Sequence, residues 1–210
     1  MLPEITGNLA HKIFDNIIAS TPSKIEGIEL RQQRELGHAE DVTNWILILD
    51  PDASTELLMA GWLHDSERVI DFDGTTGFHG DRNSQAYLDH KKGHAKRSGD
   101  LARKMLHQNN WPGNIDRVYF LVLHHDDTGK EIEQLGDGDL VTLAAADSFS
   151  FFTYIAPDML AREGENRLQD KANFMVGKMS TIIRQKLTQV NLDDPTISRV
   201  KDKALDIFNS

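Results

Sequence analysis

Residues 56–65 read Glu56-Leu57-Leu58-Met59-Ala60-Gly61-Trp62-Leu63-His64-Asp65. A very apolar helix here ends in an imidazole and a carboxylate. A carboxylate in such a place needs a cation nearby, because burying it unpaired is costly. The same conjunction recurs on either side. His38 shares a stripe with Val42, Trp45, Ile46 and Leu49 at helical spacing, so it faces the core. His94 opens a helix whose face continues through Arg97, Ser98, Leu101 and Met105. His124 and His125 end the helix from Arg117, and periodicity does not choose between them. Asp147 continues the stripe of Leu140, Leu143 and Ala144. Buried His and Asp are normally hydrogen-bonded, paired or bound to metal. A series of them, about one helix and a turn apart, points to a metal centre in a helical core.

Helical periodicity dominates the rest of the chain, with no strand-type alternation and no internal repeat. The expected fold class is all-α, a helical bundle with the metal site between core helices. One domain is expected, with its core at about 28–153 and C-terminal packing helices at about 157–208. Helices are predicted over Asn8 to Ala19, Ile28 to Leu49, Ser54 or Thr55 to Ser66, and Gly93 to Asn109. A short one is predicted over Asn83 to His90. Asn114 to Asp126 and Asp139 to Ile155 follow, with Gly129 to Gly138 as a connector. Ala156-Pro157-Asp158 is expected to break the chain before helices at Asn166 to Val190 and Pro195 to Phe208. The Gly-rich stretch 71–82 reads as a long loop of the lid or binding type.

The 210 residues suffice for one substantial core. There is no cysteine, which excludes thiolate zinc sites, disulfides and a Cys nucleophile. Any metal must be held by imidazole nitrogen and carboxylate oxygen. The net charge of −10 argues against a nucleic-acid polymer as partner. No signal peptide and no membrane span is read, so a cytoplasmic location is expected.

The order His38, His64-Asp65, Asp147 resembles the H…HD…D pattern of the HD-domain superfamily of metal-dependent phosphohydrolases. The resemblance covers about Ile28 to Thr153. Members with further histidines between the HD pair and the last Asp often hold two metals, and His94 and His124 stand in those places. The resemblance therefore implies two divalent ions bridged by Asp65. His38, His64 and Asp147 would complete one site; His94 and His124, with His125 as a further candidate, would serve the other. Iron or manganese is favoured, with zinc, cobalt, nickel and magnesium compatible. The segments Leu57 to Asp65, Lys91 to Ser98, Leu123 to Gly129 and Leu143 to Phe152 look similar to the bacterial HD-type diadenosine tetraphosphate hydrolases. The GYP segment of cyclic-di-GMP phosphodiesterases is missing, since Lys130-Glu131-Ile132 follows Gly129. HD-type di-iron oxygenases carry a similar ligand set, but with a Lys near the place of Arg68.

The implied activity is hydrolysis of a phosphate ester or anhydride in a small phosphorylated molecule, foremost a nucleotide, by metal-activated water. Asp65, Arg68 and Arg97 are the candidate catalytic residues. Arg68 lies one turn past His64 and Arg97 one turn past His94, and guanidinium suits phosphate. Lys92, His79 and Arg82 are further candidate substrate contacts. The alternatives are a di-iron oxygenase cleaving a C–C or C–P bond, and a regulatory module that binds a nucleotide without turnover. The last two helices are read as packing elements or the surface of a homodimer.

Overall fold

A computed structural model describes residues 2–20, 28–70 and 85–209. It is an all-α helical bundle, with no strand among the described residues. Ten helices run in chain order: α1 (Leu2–Ser20), α2 (Ile28–Leu49), α3 (Thr55–Leu63), α4 (Gln85–Gln108), α5 (Ile115–His124), α6 (Gly129–Leu135), α7 (Gly138–Ser150), α8 (Ala156–Gly177), α9 (Thr181–Leu187) and α10 (Pro195–Asn209). A 3₁₀ turn, Ser66–Val69, follows α3, and a π turn, Phe151–Ile155, joins α7 to α8. The expected loop at 71–82, with His79 and Arg82, lies outside the described residues.

The most apolar helix is the most enclosed. Every residue of α3 from Leu57 to Leu63 is buried, among α1, α2, α5 and α7. Its start is defined by Ser54, whose hydroxyl accepts from the Leu57 amide at 3.1 Å. Gly61 permits the close crossing with α2, because a Cβ there would lie 2.6 Å from Ile46 Cδ1. From Leu143 to Ser150 helix α7 is also buried all round. Leu140, Leu143, Ala144 and Ala146 belong to a first core built by α1–α7. Ala145 and Phe149 belong to a second, which α7 shares with α8, α9 and α10. The continuous run Gly138–Gly177 is long and apolar enough to cross a membrane, but 67% of its apolar window is buried inside the protein. That burial makes it a core element here.

Several boundaries differ from expectation for identifiable reasons. Helix α4 runs unbroken through Gly93, since one glycine costs a helix only about 1 kcal/mol. The expected connector after Gly129 contains α6, which a capping box starts. Thr128 Oγ1 accepts from the Glu131 amide, and the Glu131 carboxylate accepts from the Thr128 amide at 2.8 Å. Pro157 does not break the chain. The π turn before it widens the helix by one residue, with the Ala156 amide bonded to the Phe151 carbonyl, and the helix continues. Regular helix is interrupted instead at Gly164, where φ is 80°. The expected long helix to Val190 is divided at Lys178 to Ser180, and Ser180 caps α9.

At Gly129 the chain is pinched against the end of α8. A Cβ there would stand 2.9 Å from the Gly177 carbonyl oxygen and 3.1–3.2 Å from those of Met179 and Lys178. These are backbone atoms that cannot rotate away. Gly129→Ala is therefore expected to destabilise the protein by roughly 1–3 kcal/mol, read as a lower urea midpoint at unchanged m. An unaltered midpoint would show that the two turns are not in this contact.

Candidate metal centre

Helices α3 and α5 end in the same local arrangement. His64 stands at the C-cap of α3, and its Nδ1 donates to the Gly61 carbonyl at 2.8 Å. His125 stands at the C-cap of α5, and its Nδ1 donates to the Val122 carbonyl at 2.7 Å. The last carbonyls of a helix lack an intrahelical partner, so each helix end supplies the acceptor that orients its histidine. A carbonyl only accepts. Nδ1 therefore carries a proton in both rings, and Nε2 is turned to the interior.

Two more imidazoles meet these from other helices. His38 on α2 packs its Nδ1 against Ser150 Oγ at 2.9 Å, and its Nε2 lies 3.3 Å from His64 Nε2. His94 on α4 donates from Nδ1 to Glu67 Oε2 at 3.0 Å, and its Nε2 is 2.6 Å from Asp65 Oδ1. All four rings thus have Nδ1 turned to an outer partner and Nε2 turned to one shared space. Asp65 divides that space. Its Oδ1 faces His94 and, at 3.6 Å, His125 Nε2. Its Oδ2 faces His64 Nε2 at 3.7 Å and His38 Nε2 at 4.0 Å. Asp147 Oδ1 closes the His38 side at 3.3 Å.

Among the described residues, three sets have donor atoms within 4.8 Å of one another: His38, His64 and Asp65; Asp65, His94 and His125; and His125, Asp126 and Asp147. These buried His and Asp groups could hold metal ions. Outward Nδ1 bonds that fix the ring and turn Nε2 inward are the usual support of a metal-binding histidine, so the residues present fit such ions, the 2.6 Å contact of His94 Nε2 with Asp65 Oδ1 being the one that would open to admit an ion.

The electrostatics are those of charges kept from water. Burial opposes ionisation of Asp65, but Arg68, His64 and His94 outweigh it and hold its carboxyl well below the usual range. Asp147 is held low in the same way, chiefly by Lys178 and His38. Burial pushes the His64 pKa down to about 4, against the pull of Asp65 and Asp147. In His94 the balance tips the other way. Burial and the Arg68 guanidinium oppose protonation, yet the carboxylates of Asp65 and Glu67 at its two nitrogens raise its pKa.

The structure brings together His38, His64, Asp65, His94, His125 and Asp147. It does not bring in His124, which the sequence paired with His125. Its Nδ1 bonds Asp127 at 2.6 Å and its ring lies tilted against Phe120, on the outer side of α5. Adjacent helical residues point about 100° apart, so only one of the two faces the centre. Arg68 reaches Asp65 Oδ2 at 2.6 Å and is 36% exposed. Arg97 crosses over Gly93 and pairs with Glu67 Oε1 at 2.8 Å. Lys92 lies on α4, with its side chain outside the described residues.

The family comparison bears on the whole of this arrangement. A family model described as a domain of unknown function, DUF4202, matches residues 8–200. The chain belongs to that family. The match runs from α1 into α10 and includes every residue of the cluster. No curated protein and no solved structure matches the chain.

Three residues of the centre were not singled out from sequence. Glu67 is buried and shared by His94 and Arg97; its signal was a carboxylate two positions after an already suspect Asp65. Buried Lys178 and partly buried Asp126 form an ion pair behind His125, 2.7 Å apart. Their signal was charge set in apolar sequence, Met175-Val176-Gly177-Lys178-Met179 above all.

The neutral state of His64 has a measurable consequence. Folded protein leaves this ring unprotonated down to about pH 4, while the unfolded chain protonates it near 6.5. Between those values the unfolded state binds more protons, so stability falls as pH falls. In metal-free protein, urea unfolding from about pH 6.5 to 4 is expected to show a steeper loss for wild type than for His64→Gln. The slopes should differ by up to about 1.4 kcal/mol per pH unit. Coincident slopes would contradict a buried, neutral His64.

Proposed function

We propose that this chain is a metal-dependent phosphohydrolase of the HD type. It acts on an ester or anhydride of a small phosphorylated molecule, with a nucleotide as the favoured substrate. The observation that carries the reading is the set of four imidazoles with Nε2 turned inward around a carboxylate that offers one oxygen to each pair. Asp65 suits a bridge between two ions. His38, His64 and Asp147 would hold one, and His94 and His125 the other. Iron or manganese suits this purely nitrogen and oxygen donor set. Such ions, when bound, lower the pKa of water to about 7 and offset charge on a transferring phosphoryl group.

The chain's own residues supply the rest. Arg68 is anchored at the edge of the centre and partly open to solvent, so its fork can meet a phosphate. Glu67 joins His94 to Arg97, so a ligand and a second guanidinium are held by one carboxylate. The absence of cysteine accords with attack by water rather than by a thiol.

The test is product formation from nucleotides, dinucleoside polyphosphates and sugar phosphates, without O₂ and with Mn(II) or Fe(II) supplied. Wild type is expected to release phosphate or a nucleotide product, and Asp65→Ala to lose both activity and bound metal. Arg68→Ala should keep its metal while losing roughly 10²-fold in kcat. Inactivity on every compound with Mn, Fe, Co and Ni would overturn the reading. Iron-dependent O₂ consumption would replace it with the oxygenase alternative.

A further inference from the structure

The third donor set, His125 with Asp126 and Asp147, already contains a cation. Lys178 enters it from the turn between α8 and α9. Its Nζ lies 2.7 Å from Asp126 Oδ1 and 2.5 Å from Asp147 Oδ2, and its side chain is 1% exposed. A lysine is almost never this buried unless paired, and two carboxylates here need a cation as much as it needs them. The turn that carries it is fixed from both sides. Lys178 and Met179 amides bond back to Met175 and Val176, and Gly129 packs directly on the carbonyls of Gly177 to Met179.

We propose that Lys178 is a resident cation standing in for a metal ion in this third set. His125 has one nitrogen to give, since its Nδ1 is taken by the Val122 carbonyl, so by filling the third set Lys178 leaves His125 Nε2 to the set with Asp65 and His94. Lys178 also occupies Asp147 Oδ2, so Asp147 offers only Oδ1 to the side of His38 and His64. Lys178 is thus a positioning residue that determines how many ions the centre takes and how Asp147 meets one of them. The inference rests on the reading that the cluster holds metal.

The experiment counts ions. Wild type, Lys178→Ala and the double variant Lys178→Ala/Asp126→Asn are loaded with Mn(II), freed of excess by gel filtration and analysed for metal per chain. The expected result is one additional ion in Lys178→Ala, held between the vacated carboxylates of Asp126 and Asp147, and a return to the wild-type number in the double variant. Mn(II) should also raise the melting temperature of Lys178→Ala more than that of wild type. Equal ion counts in wild type and Lys178→Ala would overturn the inference while leaving the metal centre standing. No metal in wild type would overturn the centre itself. If Lys178→Ala is isolated unfolded, it is refolded from urea with and without Mn(II). Recovery only with Mn(II) is expected; failure to recover with it would count against a cation role for Lys178.

Discussion

Two carboxylates buried at the junction of the helices govern this structure. Asp65 and Asp147 are each almost wholly removed from water, and an ionised carboxylate in that position is tolerable only with cations or donors around it. The partners come from segments far apart in the chain: His38 on α2, Arg68 after α3, His94 on α4, His125 after α5 and Lys178 after α8. Removing one partner leaves charge without compensation. The polar cluster therefore constrains how the helices dock, over and above the apolar packing that surrounds it.

The apolar packing makes that convergence geometrically possible. Helix α3 is short and enclosed, so its C-terminal residue is delivered to the middle of the bundle rather than to its surface. Gly61 lets α2 approach until His38 and His64 are 3.3 Å apart at Nε2. Arg117 clasps Asp137 and Asp139, which ties the start of α7 to α5. His64 and His125 are each oriented by a carbonyl of the helix they terminate.

Much of this was legible in the sequence. The all-α class and the bounds of α2 follow from apolar periodicity, and His38, Asp65 and Asp147 stood out because a polar residue interrupted an apolar stripe. What periodicity could not supply was direction at a helix end. His124 and His125 both terminate the apolar run of α5, and only the turn geometry separates them. Pro157 misled because its missing amide is absorbed by a π turn that no residue pattern announced. Lys178 escaped notice for a different reason. It falls inside the expected helix Asn166 to Val190, where a lysine is ordinarily solvated, and its burial depends on contacts with Asp126 and Asp147 that only the tertiary fold creates. Thr128-Gly129-Lys130-Glu131 was a readable helix start, and its capping box is the device that turned a supposed connector into α6.

Helix α7 presents one side to each hydrophobic core, and Trp45 and Leu49 of α2 also touch both. A helix enclosed this way has no free face to expose when either half loosens. Separating α8, α9 and α10 from the remainder would uncover Ala145 and Phe149 and withdraw Lys178 from two carboxylates at once. The two halves therefore share a helix and a buried lysine–carboxylate contact. For evolution this means that the C-terminal helices are not a detachable appendage: sequence drift in them is felt at the centre, and the centre's integrity is felt in them.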